Sequence, residues 1–173
     1  MRYLAIAATI FTMTAVAAEA DQPAGPLPLA ILLDAAQAAL ASCAANGYHV
    51  TVTVLDPDMS RRIVLRGDAA PERSVELGYR KAYTAVKTGM SSRDFSRTVS
   101  SSAPPPAGPA PVGPPPLPGP VNGDPNLITW PGGAPIRVNG TLVGAMSVAG
   151  APGGDKDEGC VNAGLAGIAG ATK

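Results

Sequence analysis

The dipeptide Asn139-Gly140 stands between two apolar stretches, Ile136-Arg137-Val138 on one side and Thr141 to Ala149 on the other. A two-residue connection between strands requires positive φ at both central positions, and Asn-Gly meets that demand at least cost. The pair therefore predicts a tight type I′ hairpin and commits this half of the chain to an antiparallel sheet. A second hairpin is predicted upstream. There His49 to Leu55 is rich in β-branched residues, Asp56-Pro57-Asp58 forms a turn, and Arg62 to Leu65 returns as the partner strand.

Helical segments surround the two hairpins. Leu29, Leu32, Leu33, Ala36, Leu40 and Cys43 recur at spacings of three and four, which predicts an amphipathic helix closed at Asn46-Gly47 by a left-handed glycine. A second helix is expected over about 72–88, with Val75, Tyr79, Ala82 and Val86 on one face and Arg80, Tyr83, Thr84 and Lys87 on a neighbouring one. Gly89 ends it, and Ser91 or Ser92 can cap a short helix carrying Phe95 and Val99. In the last segment Asp155 and Glu158 have capping-box spacing. Its four glycines, Gly159, Gly164, Gly167 and Gly170, each weaken a helix by up to about 1 kcal/mol relative to alanine. Such a helix persists only by packing closely on the sheet or on a neighbouring subunit, with Val161, Leu165 and Ile168 as its buried side. The order of elements gives an α+β fold, an antiparallel sheet flanked by helices.

The 173 residues suffice for one domain with a real core. Formal net charge is zero, and the cations are scattered rather than gathered in a stripe, which excludes a nucleic-acid partner. Residues 1–20 read as a secretory signal: Arg2 gives a positive start, Leu4 to Ala17 an apolar run, and Ala18-Glu19-Ala20 a cleavage site that leaves Asp21 first in the mature chain. The apolar run falls short of the roughly 20 residues of a membrane-spanning helix, so no membrane attachment is expected after cleavage and a periplasmic or secreted location is. Residues 21–27 read as a disordered lead-in to a domain over 28–171. Residues 103–120, dominated by proline, read as an exposed, mobile polyproline insertion.

Export bears on Cys43 and Cys160, the two cysteines of the chain. In an oxidising compartment paired cysteines tend to be bridged, yet two buried thiols acting as small hydrophobes satisfy the same sequence. One histidine and two distant cysteines make no zinc cluster, and no nucleophile elbow is present. Gly132-Gly133 and Gly150 to Gly154 are glycine-rich, but neither carries the Gly-Lys-Ser/Thr of a phosphate loop, and turn and cap roles account for both.

Four segments in order resemble the GlcG/HbpS family: Gly47 through Asp56, Leu65 through Ala70, Arg80 through Ala85, and Gly144 through Gly154 followed by Asp157-Glu158-Gly159-Cys160. Ser147 and Ala149 stand where the family commonly has Gly and Ser. The resemblance implies a profilin-like α+β domain, a homo-oligomer, and a non-catalytic module that binds haem or a small acidic molecule. An enzyme or accessory protein acting on a small hydroxy acid is the alternative, and a module docking another exported protein through the Pro-rich tether is a third reading. The expected ligand-binding residues are Arg80, Lys81, Tyr83 and Thr84, because they concentrate cations and hydroxyls on one helix. His49, the single histidine, is added as a candidate axial ligand. Met59 and Met90, each at a turn, are weaker thioether candidates.

Overall fold

In a computed structural model of the protein, described here for residues 26–100 and 117–171, the elements run α1 (Leu29–Ala44), β1 (Thr51–Leu55), β2 (Arg61–Arg66), α2 (Arg73–Thr88), α3 (Ser92–Ser100), β3 (Gly133–Val138), β4 (Thr141–Ala149) and α4 (Gly154–Ala171). The four strands form one antiparallel sheet in the order β2-β1-β4-β3. Both expected hairpins are present, and Asn139 and Gly140 have φ of 49° and 80°, as a type I′ turn requires. The central pairing, β1 on β4, joins the hairpins, with Thr51 opposite Ala149 and Leu55 opposite Ala145.

Strand periodicity divides the interior into two layers. Val50, Val52 and Val54 of the β1 segment, with Met146 and Val148 of β4, point to the side covered by α1 and α4 and form the main apolar core with Leu32, Ala36 and Ala39. Thr51, Thr53 and Leu55 point to the opposite side, where α2 lies, together with Ala145, Ser147 and Ala149. That second layer is partly polar. Thr51 Oγ1 and Ser74 Oγ are 2.6 Å apart, and Ser147 Oγ donates to the Gly78 carbonyl at 2.6 Å. The serine at position 147 is thus a fastening between β4 and α2.

This polar layer explains why hydropathy misplaces the inner face of α2. The residues it buries are Ser74, Leu77, Gly78, Lys81, Ala82 and Ala85, along with Arg80, Thr84 and Val86, whereas Val75 and Tyr79 are half-exposed. Tyr79 instead receives the guanidinium of Arg61 over its ring at 3.9 Å. Helix α4 begins one residue before Asp155 and places both Asp155 and Glu158 inside the helix, so they do not form a capping box. Glu158 pairs with Arg93 of α3. Of the α4 glycines, Gly164 makes the close approach expected of them: a Cβ there would lie 2.6 Å from the Ala35 carbonyl oxygen and 2.9 Å from Ala39 Cβ of α1. Gly159 and Gly167 face open space.

The segment expected as a disordered lead-in is ordered at its end, where Leu27 is buried in the core and its carbonyl accepts Arg62 Nη1 at 3.3 Å. The expected signal segment lies outside the described residues, as does most of the Pro-rich insertion. Among the described residues no helix is long and apolar enough to cross a membrane.

Cys43 and Cys160 form a disulfide that fixes α1 to α4 across 117 positions of sequence, with Cα atoms 5.5 Å apart. Closing a loop of that length removes much chain entropy from the unfolded ensemble, about 5 kcal/mol in the polymer model. Replacing both cysteines by alanine should therefore lower unfolding free energy by about 3–5 kcal/mol, read from urea midpoints. In the parent protein, reductant should produce a loss of the same order.

Candidate functional site

A cavity of about 490 Å³ opens beside the N-terminal ends of α2 and α4. Its walls are largely apolar, formed by Trp130, Leu77, Pro71 and Pro131. The loop Gly150 to Gly154 runs along it, and Arg73, Ser74, Lys81 and Asp157 bring the polar groups. A mostly apolar cleft with a few convergent polar groups is the usual form of a small-molecule site.

Lys81 and Asp157 form a buried ion pair in this cavity. Lys81 Nζ lies 2.6 Å from Asp157 Oδ2, with the two side chains 2% and 5% exposed. The ammonium also donates to the Val148 carbonyl at 3.1 Å, and Asp157 Oδ1 accepts the Ala151 N–H at 2.9 Å. The pair joins α2 to α4, helices that cover opposite faces of the sheet. Gly132 makes room for it: at φ of 117°, a Cβ there would meet Asp157 Cβ at 2.7 Å and Lys81 Nζ at 2.9 Å. Desolvation dominates the electrostatics, lowering the pKa of Lys81 against the opposing pull of Asp157 and raising that of Asp157 against the pull of Lys81.

Among the expected ligand-binding residues, Lys81 reaches the cavity and the others do not line it. Arg80 is 4% exposed and donates to the carbonyls of Pro118, Gly119 and Leu127, at 2.8, 3.4 and 3.0 Å. Thr84 Oγ1 donates to the Arg80 carbonyl and accepts the Ile128 N–H at 2.9 Å. Tyr83 donates to Asp124 Oδ2 at 3.0 Å, and desolvation, followed by that bond, raises its phenol pKa above the ordinary value. These three side chains fasten residues 118–128 onto α2. The end of the Pro-rich stretch, Pro118-Gly119, is held by Arg80 rather than left as a mobile loop. A cationic face on α2 exists in the sequence, but Arg80, Thr84 and Tyr83 on it are spent on main-chain carbonyls, an N–H and Asp124.

The fastening bears on the cavity because Trp130 follows Ile128 by two residues and packs on Leu77, Ile128 and Ala149. Arg80 and Thr84 thereby set the position of the aromatic wall. His49 lies outside the cavity lining; it is exposed, and its Nδ1 is 2.9 Å from the Asp68 carbonyl oxygen. Met59 packs on the small cluster around Leu55, and Met90 is exposed. No group of three or more His, Cys, Asp and Glu able to hold a metal ion occurs among the described residues.

The sequence reading missed Trp130, Arg73 and Asp157. Asp157 was obscured by its place in the run Asp155-Lys156-Asp157-Glu158, which resembles a solvated helix start. A usable signal was present in Trp130, the sole tryptophan of a chain with 4% aromatic residues.

The chain matches the family model described as "Haem degrading protein HbpS-like" over residues 27–166. The crystal structure of HbpS is 30% identical and superposes with a TM-score of 0.69, covering 89% of this chain and 97% of that one. The Klebsiella pneumoniae protein ORFY, of the DUF336 family model, is 18% identical with a TM-score of 0.70, covering 87% and 95%. A PduOC:heme complex is 21% identical with a TM-score of 0.68, covering 83% and 95%. No curated protein sequence matches the chain.

Two outcomes are expected from the ion pair and the fastening. Asp157→Ala removes both the anion and the hydrogen-bond acceptor from a buried ammonium and should cost about 3–5 kcal/mol at neutral pH. Because the folded-state pKa of Asp157 is raised, the folded chain holds this proton at a pH where the unfolded chain has released it. The contribution of this carboxyl to stability is therefore gained as pH falls through the folded pKa toward 3.8, and the advantage of the parent over Asp157→Ala, which has no group to protonate there, should widen between pH 7 and about pH 4. Urea titrations at each pH measure it. Separately, Thr84→Val removes the acceptor of the Ile128 N–H, at a cost of about 1–3 kcal/mol, and Trp130 emission should shift to longer wavelength as its wall loosens.

Proposed function

Because the chain belongs to the HbpS-like family, we propose that it is an exported, non-catalytic module that binds haem or a related flat, acidic small molecule in the cavity beside Trp130. The observation that carries this reading is the cavity itself, with an indole and two prolines for walls and a buried Lys81–Asp157 pair inside. The family description names haem, and one of the related folds was solved with heme bound.

The lining can be tested against a haem. Trp130, Leu77, Pro71 and Pro131 suit the faces of a porphyrin, and Arg73 suits a propionate. Iron is not provided for: no lining residue carries an imidazole, thioether, thiolate or phenol, the usual protein ligands of haem iron, and Lys81 and Asp157 are engaged with each other. Binding in this reading rests on enclosure and on charge at the periphery of the macrocycle, and no chemistry is assigned to the metal.

Export is supported by the Arg2 and Leu4 to Ala17 pattern and by the Cys43–Cys160 disulfide, a bond that persists in oxidising compartments. A homo-oligomer, as the resemblance implies, would find small residues Gly159, Ala163 and Gly167 on the outer side of α4, where they are exposed.

Titrating the mature protein with haemin should shift the Soret band at micromolar concentrations, and Trp130→Ala should weaken binding by about tenfold, the order of a lost aromatic contact. An unchanged Soret band over that range would overturn the haem reading. N-terminal sequencing of the protein from the periplasm should begin at or near Asp21.

A further inference from the structure

The cavity carries two cations, Arg73 and Lys81, against one carboxylate, Asp157. Their hydrogen-bonding capacities are not exhausted. An ammonium has three N–H donors; two of those on Lys81 go to Val148 O and Asp157 Oδ2, and the third has no acceptor among the described residues. Arg73, half-buried in the cavity lining, makes no hydrogen bond or ion pair among the described residues. Glu72 and Glu76, its near neighbours on the chain, form no salt bridge with it.

This is unlike the other arginines that reach the interior. Arg80 gives both terminal nitrogens to carbonyls while its Nε stays buried without a partner, Arg62 reaches Asp56 and the Leu27 carbonyl, and Arg93 pairs with Glu158. Arg73 alone among these four makes no hydrogen bond or ion pair among the described residues, and it borders both the cavity and a more open depression shared with Glu72 and Glu76. A planar fork matches a carboxylate with two parallel N–H bonds. A neutral or cationic guest would leave that fork unpaired, whereas a carboxylate answers the excess positive charge of the lining.

We propose that the cavity recognises its ligand by a carboxylate, received by the Arg73 guanidinium with the third N–H of Lys81, while the apolar body of the ligand lies against Trp130. This assignment rests on the reading of the cavity as the ligand site. Asp157 takes the role of a positioning residue, holding Lys81 Nζ in the cavity without occupying all of its hydrogens. The carboxylate can belong to a porphyrin propionate or to a small flat acid, and the chemistry at Arg73 is the same.

Trp130, the sole tryptophan, reports occupancy by its emission. The mature full-length protein is titrated with metal-free protoporphyrin IX, with its dimethyl ester and with benzoate, in the parent, Arg73→Ala and Arg73→Lys. The expected result is saturable quenching by protoporphyrin with the ester weaker by about tenfold, the scale of a lost charge-assisted bond. Arg73→Ala should weaken the acid by a similar factor and leave the ester unchanged, and Arg73→Lys should recover part of the loss. Quenching by benzoate instead, lost in Arg73→Ala, supports the proposal and assigns the carboxylate to a small acid. Equal binding of acid and ester in both parent and Arg73→Ala overturns the carboxylate assignment while leaving the cavity as a ligand site. Emission that no probe alters overturns both.

Discussion

The Lys81–Asp157 contact is the interaction on which the arrangement of the site depends. Desolvating two charges costs several kcal/mol per ion, a cost that is offset only when geometry and additional hydrogen bonds are good. Here the supporting bonds are present, with the Val148 carbonyl on the ammonium and the Ala151 N–H on the carboxylate. The pair links a helix from each face of the sheet, and its dimensions are set by a glycine, Gly132, that keeps a third piece of backbone out of the way. Remove the pair and α2, α4 and the loop after β4 lose their common reference point, and with them the cavity shape.

A second layer of support comes from the face of α2 turned toward residues 118–128. Arg80 satisfies three carbonyls of a stretch that has no regular secondary structure to satisfy them, and buried carbonyls need such partners. Thr84 does the same for one N–H of that stretch. Side chains with the composition of a binding surface therefore do the work that a β-ladder would do elsewhere. The cations that line the cavity, Arg73 and Lys81, are the ones whose donors this work has not consumed.

Much of the fold was legible from local rules. Asn139-Gly140 dictates its turn by backbone sterics alone, and Gly47 likewise closes α1 with φ of 72°. The β1–β4 pairing was not legible, because strand edges carry no local code for which hairpin they meet. The inner face of α2 was misread for a different reason: hydropathy ranks Val75 and Tyr79 above Ser74 and Lys81, but the sheet presents Thr51, Thr53 and Ser147 to this helix. Polar residues on one side call for polar residues on the other. Lys81 was legible as a candidate and does line the cavity; Arg73 and Asp157 were not, since their place there follows from packing that the sequence does not spell out.

The Cys43–Cys160 bond encloses everything from the end of α1 to the first turns of α4, including residues 101–116. A protease cutting within that proline-rich stretch would sever the polypeptide without releasing either fragment. The two pieces would stay covalently tethered through sulfur, and the sheet between them would remain one object until a reductant arrived.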